Sequence, residues 1–155
     1  MSDLVEVHRR KVILPREDEK GRHVTLDRVW RGLVDFAAHP ENYIEALESS
    51  RVSEETGTVE RRTLSRELNF GSFTFVDKVT LVEKKELINR VPAFQSCPSS
   101  VFSIRLRENE DVELEYTYRE VFTKGLTDNK QVLNLRRQAW DSKDQGIVRK
   151  IIQRF

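Results

Sequence analysis

Between Ser50 and Phe122 apolar and polar residues alternate in short runs punctuated by Gly, Asn and Asp. This period of two is the pattern of strands that bury one face. It predicts strands near 50–55, 58–68, 73–84, 86–92, 100–107 and 111–122. The connections "TGT" at 56–58, "NFGS" at 69–72 and "ENED" at 108–111 are short and carry the residues tight turns require, so the six strands form an antiparallel meander. Ahead of them "LVEVHRRKVIL", residues 4–14, reads as one more strand, with Leu4, Val5, Val7, Val12 and Ile13 around a charged centre, and "PREDEKGRH" ends it.

Helical spacing governs the two remaining segments. Thr25 caps a helix whose Leu26, Val29, Trp30, Leu33, Phe36 and Ala37 share one face, the arrangement that buries an amphipathic helix on a core. Pro40 lacks an amide N–H and disfavours a helical His39, yet its fixed φ suits the first position of a new helix. A second short helix is therefore expected, with Glu41 near its N-terminus and Tyr43, Ile44, Ala46 and Leu47 as its apolar face. From "TDNKQVLNLRRQ" to the end the chain reads as one long helix capped by Thr127 or Asp128. Val132, Leu135, Ala139, Ile147 and Ile151 form a drifting apolar stripe, and this helix is the element left to cover the sheet.

Composition narrows the class. The 155 residues carry no Pro/Gly/Ser-rich linker, which predicts one domain over 1–155 with a real core. No apolar run approaches the roughly 20 residues that span a bilayer, so no membrane partner is expected. Lys plus Arg number 27 against 26 for Asp plus Glu, and so balanced a charge supplies no field to gather nucleic acid. The basic residues of the last helix are interrupted by Asp141 and Asp144 and read as a solvated face. The start lacks an apolar signal region and Cys97 is the single cysteine, which points to a reducing cytoplasm.

The order of strand, broken helix pair, six-stranded meander and long terminal helix resembles the helix-grip fold of the START-like (SRPBCC, birch-pollen-allergen-like) superfamily, and within it the AtaL-like branch. The residues that carry the resemblance are "TLDRVWRGLVDFAAHPENYI", "RELNFGSFTFVDKVTL", "ELEYTYREVF" and the terminal helix, together nearly the whole chain. The resemblance implies an α+β domain in which a curved antiparallel sheet of about seven strands grips the long helix. It also implies a cavity between them for a hydrophobic small molecule, such as a lipid or polyketide. Some relatives are carriers and others are cofactor-independent cyclases, aromatases or isomerases, some of them from secondary-metabolite gene clusters. It implies no cofactor. The bent helix pair would then close one mouth of the cavity, with Trp30, Leu33, Tyr43 and Leu47 as candidates for gating access.

Charged residues on apolar faces are the candidates for chemistry. In the last strand Val112, Leu114, Tyr116, Tyr118, Glu120 and Phe122 share the core face, where desolvation would raise the pKa of Glu120 and suit it to move a proton. A salt bridge at the sheet rim is the competing reading. Arg66 shares its face with Leu64 and Leu68, and could meet Glu120 or hold a ligand oxygen; covering the sheet is its alternative. Asp77, in line with Phe73, Phe75 and Val79, is a second carboxylate candidate, alternatively a satisfied ion pair. On the terminal helix Lys143 and Gly146 fall near the stripe of Leu135 and Ala139, which makes Lys143 a candidate for enolate stabilisation and Gly146 a place of close approach or room for a ligand. Tyr116, Tyr118, Phe75, Phe102, Leu135, Ala139 and Gly146 are the expected ligand wall, with Trp140, Phe70, Phe73 and Phe94 as further aromatics. His8, His23 and His39 lack ligand spacing, so no metal is expected. Three classes remain open at this stage: a cofactor-independent acid–base enzyme, a carrier with the same cavity, and a homodimeric scaffold whose cavity is filled by its own side chains.

Overall fold

A computed structural model describes residues 3–155. The chain runs β1 (Leu4–Ile13), α1 (Leu26–Ala38), a 3-10 turn (Pro40–Asn42), β2 (Ser49–Gly57), β3 (Arg61–Asn69), β4 (Thr74–Val82), β5 (Glu86–Val91), β6 (Ser100–Glu108), β7 (Val112–Val121) and α2 (Lys130–Arg154). The strands form one seven-stranded antiparallel sheet in the order β1-β7-β6-β5-β4-β3-β2. Register shifts between Glu6 and His8 in β1 and between Val52 and Glu54 in β2 bend the two edge strands, and the curved sheet closes around α2 in the α+β helix-grip arrangement. No helix among the described residues is long and apolar enough to cross a membrane.

Alternation places one residue set against the helices. Leu81, Leu87, Ile104 and Tyr116 lie in register across β4, β5, β6 and β7, and all four are buried. Against them pack Leu33 from α1 and Ile147 and Ile151 from α2. Trp30, Leu33 and Tyr43 are members of this core, and at 6 % exposure or less they are packing residues, which corrects their expected role as gates; Leu47 is buried as well but lines a cavity beside the sheet.

Thr25 accepts from the Arg28 amide as the N-cap of α1, and α1 ends at Ala38, as Pro40 requires. The second helix starts at Pro40 as expected but is short and of the 3-10 type. Pro40–Asn42 makes a single 3-10 turn, closed by the Tyr43 N–H on the Pro40 carbonyl, because the few residues left before β2 are too short a segment to nucleate an α-helix.

α2 is rotated relative to the expected stripe. Leu133, Asp144, Ile147 and Ile151 are its buried residues, with Arg136, Arg137 and Trp140 half-buried, whereas Leu135 is 66 % exposed and Ala139 is exposed. Leu133, Trp140 and Ile147 recur every seventh residue and fix the contact face. Leu135 stands two residues from Leu133, roughly 200° around the helix, and is thereby turned to solvent. Its N-cap is Asn129, whose side chain accepts from the Val132 amide; Asp128 instead accepts from the Gly125 amide and Thr127 from the Thr123 amide.

Gly32 sets how closely the helices approach, since a Cβ there would lie 2.1 Å from Ile151 Cγ2. Gly146, by contrast, would place a Cβ in open space, so the close approach considered for it belongs to Gly32. Gly32→Ala is expected to cost about 1–3 kcal/mol through overpacking, while Gly146→Ala gains up to about 1 kcal/mol from helix propensity. Urea denaturation of the two variants beside the parent checks both signs.

The C-terminal end of α2 is held by a buried cation. Arg28, 5 % exposed, donates from Nη2 to Asp18 Oδ2 at 2.6 Å and to the Ile152 carbonyl, and from Nη1 to the His23 carbonyl at 3.0 Å. It thus ties the β1–α1 loop to α2 and opposes the partial negative charge of the helix end. Backbone hydrogen bonds from Arg22 and Lys20, with those from the Arg28 and Arg22 side chains, outweigh burial and hold the Asp18 carboxyl well below its ordinary pKa.

Candidate functional site

Between α2 and the inner face of the sheet lies a chamber in two adjoining parts, of about 140 Å³ and about 320 Å³. They share Asn89, Val91, Phe102 and Lys143. The smaller part reaches Arg66, Asp77 and Phe75; the larger reaches Glu120, Tyr118 and Arg136. The chamber therefore touches all four charged candidates, although the fold gives them different circumstances.

Arg66 and Asp77 stand opposite each other in the β3–β4 register. Arg66 Nε donates to Asp77 Oδ1 at 2.9 Å and Nη2 to Oδ2 at 2.7 Å, and Nη1 donates to the Ala37 carbonyl at 2.8 Å. Asn89 Nδ2 gives Asp77 a further hydrogen bond at 2.9 Å. Both members of the pair are almost fully buried, so the guanidinium is engaged by protein on three sides and the carboxylate by two donors.

Glu120 faces inward and is 3 % exposed, paired with Arg136 from α2, whose Nη1 donates to Oε1 at 2.9 Å and whose Nη2 reaches Oε2. Thr127 donates to Oε1 at 3.0 Å. Burial alone would raise the Glu120 pKa, but the hydrogen bonds and charge of Arg136, with Thr127, carry it below the ordinary carboxylate value. The upward shift expected from desolvation is thus reversed by a partner 16 residues away in sequence. Arg136 also lies 4.8 Å above the Trp140 ring.

Lys143 is differently placed. Its ammonium stands 5.2 Å from the Phe102 ring and 5.7 Å from the Tyr118 ring, with only a long 3.9 Å approach to Asp144 Oδ1. A cation over aromatic faces is held without spending its hydrogen bonds, which leaves Lys143 donors for a chamber occupant.

Beside it lies a carboxylate that the charged sequence of α2 hid. Asp144 is 4 % exposed and accepts from the Tyr118 hydroxyl at 2.5 Å. Burial pushes its pKa up to about 6, partly opposed by Lys143, the Tyr118 hydrogen bond and Arg10. Tyr118 is itself pushed upward by burial and by Asp144, so it holds its proton and gives Asp144 a firm donor. Tyr118 also stacks on Trp140 at 4.4 Å between centroids, and His8, 2.8 Å from Asp141, packs near both rings. The only signal of Asp144 in the sequence was its position on the seven-residue stripe with Leu133, Trp140, Ile147 and Ile151.

Of the expected ligand wall, Tyr118, Phe75 and Phe102 line the chamber. Phe75 belongs to a stack with Phe70, Phe73 and Phe94 at the end formed by the β3–β4 and β5–β6 turns. Tyr116 is inward but lines a separate cavity. Leu135 and Ala139 point to solvent, and Gly146 borders neither part of the chamber, so these three are corrected. Among the described residues no group of three or more His, Cys, Asp or Glu is arranged to hold a metal ion.

The chamber brings the half-exposed Lys143 ammonium and the Tyr118 hydroxyl into one neighbourhood, and Tyr118 connects them to the Asp144 carboxylate behind its wall, near pKa 6; together these are the parts for proton transfer beside a carbonyl. Solved structures share the fold. Ara h 8.0201 matches over 97% of this chain and 99% of its own with TM-score 0.65 at 10% identity. The di-domain ARO/CYC StfQ from the steffimycin biosynthetic pathway matches over 97% of this chain and 50% of its own, with TM-score 0.65 at 6% identity. The Zhui aromatase/cyclase from Streptomyces sp. R1128 matches over 99% and 93%, with TM-score 0.52 at 15% identity. At such identities these likenesses speak for the fold alone. No curated protein matches the sequence. The sequence pattern of one family does match, over residues 13–154, and by it the chain belongs to the AtaL family, acetylaranotin biosynthesis cluster protein L.

Proposed function

We propose that this protein binds a hydrophobic, polyketide-like molecule in the chamber between α2 and the sheet and acts on it as a cofactor-independent cyclase or isomerase of secondary metabolism. The observation that carries the reading is the Tyr118–Asp144 pair, with Tyr118 lining the chamber and Lys143 over its ring. A C–H proton next to a substrate carbonyl passes to Tyr118 Oη while Tyr118 passes its own to Asp144 Oδ2. The electron pair left behind forms an enolate facing the Lys143 ammonium. That enolate carbon either attacks a second carbonyl of the same molecule, closing a ring, or takes a proton back at a different carbon. A carboxylate near pKa 6 is largely ionised at pH 7 and more basic than an ordinary one, which suits it as the final acceptor. The aromatase/cyclase descriptions of the structural neighbours StfQ and Zhui support the reaction type.

A carrier reading has its own support: Arg66, Asp77 and Glu120, three of the four charged candidates, are neutralised by protein partners. Incubating the purified protein with a host metabolite extract and following bound and transformed species by mass spectrometry separates the two. Conversion that falls about 100-fold in Lys143→Gln, with the bound species retained, is the expected result. Binding without conversion by the parent protein makes it a carrier, and conversion unchanged in Lys143→Gln removes Lys143 from the chemistry.

A further inference from the structure

A second, open-mouthed cavity, of about 450 Å³, lies between the end of β1, the loop that follows it and the C-terminal half of α2. None of its lining residues borders the inner chamber. Val12, Leu14, Val148 and Ile152 make its apolar walls, and Tyr116 and Asp144 stand at its polar end. The Tyr116 side chain is buried, at 3 % exposure. No side-chain hydrogen bond contributes to the environment of its hydroxyl, which is set by burial and by the charges of Asp144 and Arg10. Among the described residues no hydrogen bond from the protein engages this hydroxyl and it opens into the cavity, so it is free to bond an occupant, and the lining around it selects what fits. An anionic group would meet the Asp144 carboxylate. A cationic group would meet Arg10, Lys20, Arg22 and Arg149, and since these stand beside Glu17, Asp18, Glu19 and Asp144 in the same lining, neither sign of charge finds a one-signed field there.

We infer that this cavity is a second small-molecule site, which takes a neutral, mostly apolar alcohol or phenol whose hydroxyl bonds to Tyr116 Oη beside Asp144. The site stands on a different cavity and a different tyrosine from the reaction assigned to the inner chamber, and shares with it only the Asp144 carboxylate, which Tyr118 reaches from the other side. Arg28, buried behind the loop and bonded to Asp18 and Ile152, holds the loop against α2 and keeps the cavity walls in place.

The test uses 2-naphthol as probe, titrated into the full chain with methyl-labelled Val, Leu and Ile and followed by NMR, with 2-naphthoate and naphthalene as controls. Shifts at Val12, Leu14, Val148 and Ile152, affinity for 2-naphthoate weaker by about tenfold or more, and a loss of about 3- to 10-fold for 2-naphthol in Tyr116→Phe are the expected results. The same variant should leave naphthalene binding unchanged, which separates a lost hydrogen bond from a disturbed fold. Shifts confined to Val79, Leu87 and Val91 of the inner chamber, no shifts at millimolar 2-naphthol, or equal 2-naphthol affinity in Tyr116→Phe would each overturn the assignment.

Discussion

Asp144→Asn is expected to make the folded protein more stable at pH 7 by as much as about 3 kcal/mol, and to slow the proposed proton transfer by about 100-fold or more. The stability effect follows from linkage. Asp144 has a folded pKa of about 6 against 3.8 for the free side chain, so the folded state holds its proton more tightly than the unfolded state does. Below about pH 4 both states are protonated and nothing is lost. As pH rises from about 4 to about 6 the unfolded state ionises first and stability falls, and above about 6 the full cost remains. Asparagine mimics the protonated form in shape, and its carbonyl can still accept from Tyr118. The gain should therefore be present at pH 7 and vanish at pH 4, as urea denaturation at the two pH values would read. A variant that is destabilised at both would place the carboxylate among the groups that hold the fold together. The opposite signs expected for stability and turnover are what a desolvated acid kept for chemistry produces.

How much of this was visible in the sequence depends on the range of the interaction. Alternation and turn residues located all seven strands, because strand faces and hairpins are local properties, and Pro40 ended α1 where its missing N–H demanded. The inward direction of Glu120, Asp77, Arg66, Tyr116 and Tyr118 followed from the same alternation. Their partners did not. Arg136 reaches Glu120 across the gap between helix and sheet, and which strand residue opposes Arg66 depends on the β3–β4 register. On α2 the error came from chemistry: its buried face includes Asp144 and half-buried Arg136 and Arg137, while Leu135 is exposed. An apolar stripe drawn through Val132 and Leu135 therefore gave a rotated helix, and the buried carboxylate went unnoticed among solvated charges.

The same dependence on distant partners turns Arg66 from a candidate catalyst into a test of what a buried ion pair does. Pro40 cannot donate to the Phe36 carbonyl as a helical residue would, and α1 has no basic residue in its last turn. Arg66 supplies from β3 what the helix lacks, a cation at its C-terminal end and a donor to the Ala37 carbonyl. Asp77 then holds the guanidinium in a two-pronged contact and accepts from Asn89. Asp77→Ala leaves a buried positive charge with no counter-ion and is expected to cost about 3–5 kcal/mol. Replacing both charges, Arg66→Met with Asp77→Leu, removes the desolvation penalty with the attraction and should recover at least half of that loss, short of full recovery because the Ala37 carbonyl and Asn89 lose partners. Urea unfolding of the parent, Asp77→Ala and the double variant reads the recovery, and adding the singles Arg66→Met and Asp77→Leu closes the cycle that gives the coupling. If the double variant is no more stable than Asp77→Ala, the pair contributes through its hydrogen bonds to α1 and β5 rather than through charge compensation. In that case the break at Pro40, the cap at Ala37 and the ion pair are one structural unit spanning α1, β3 and β4.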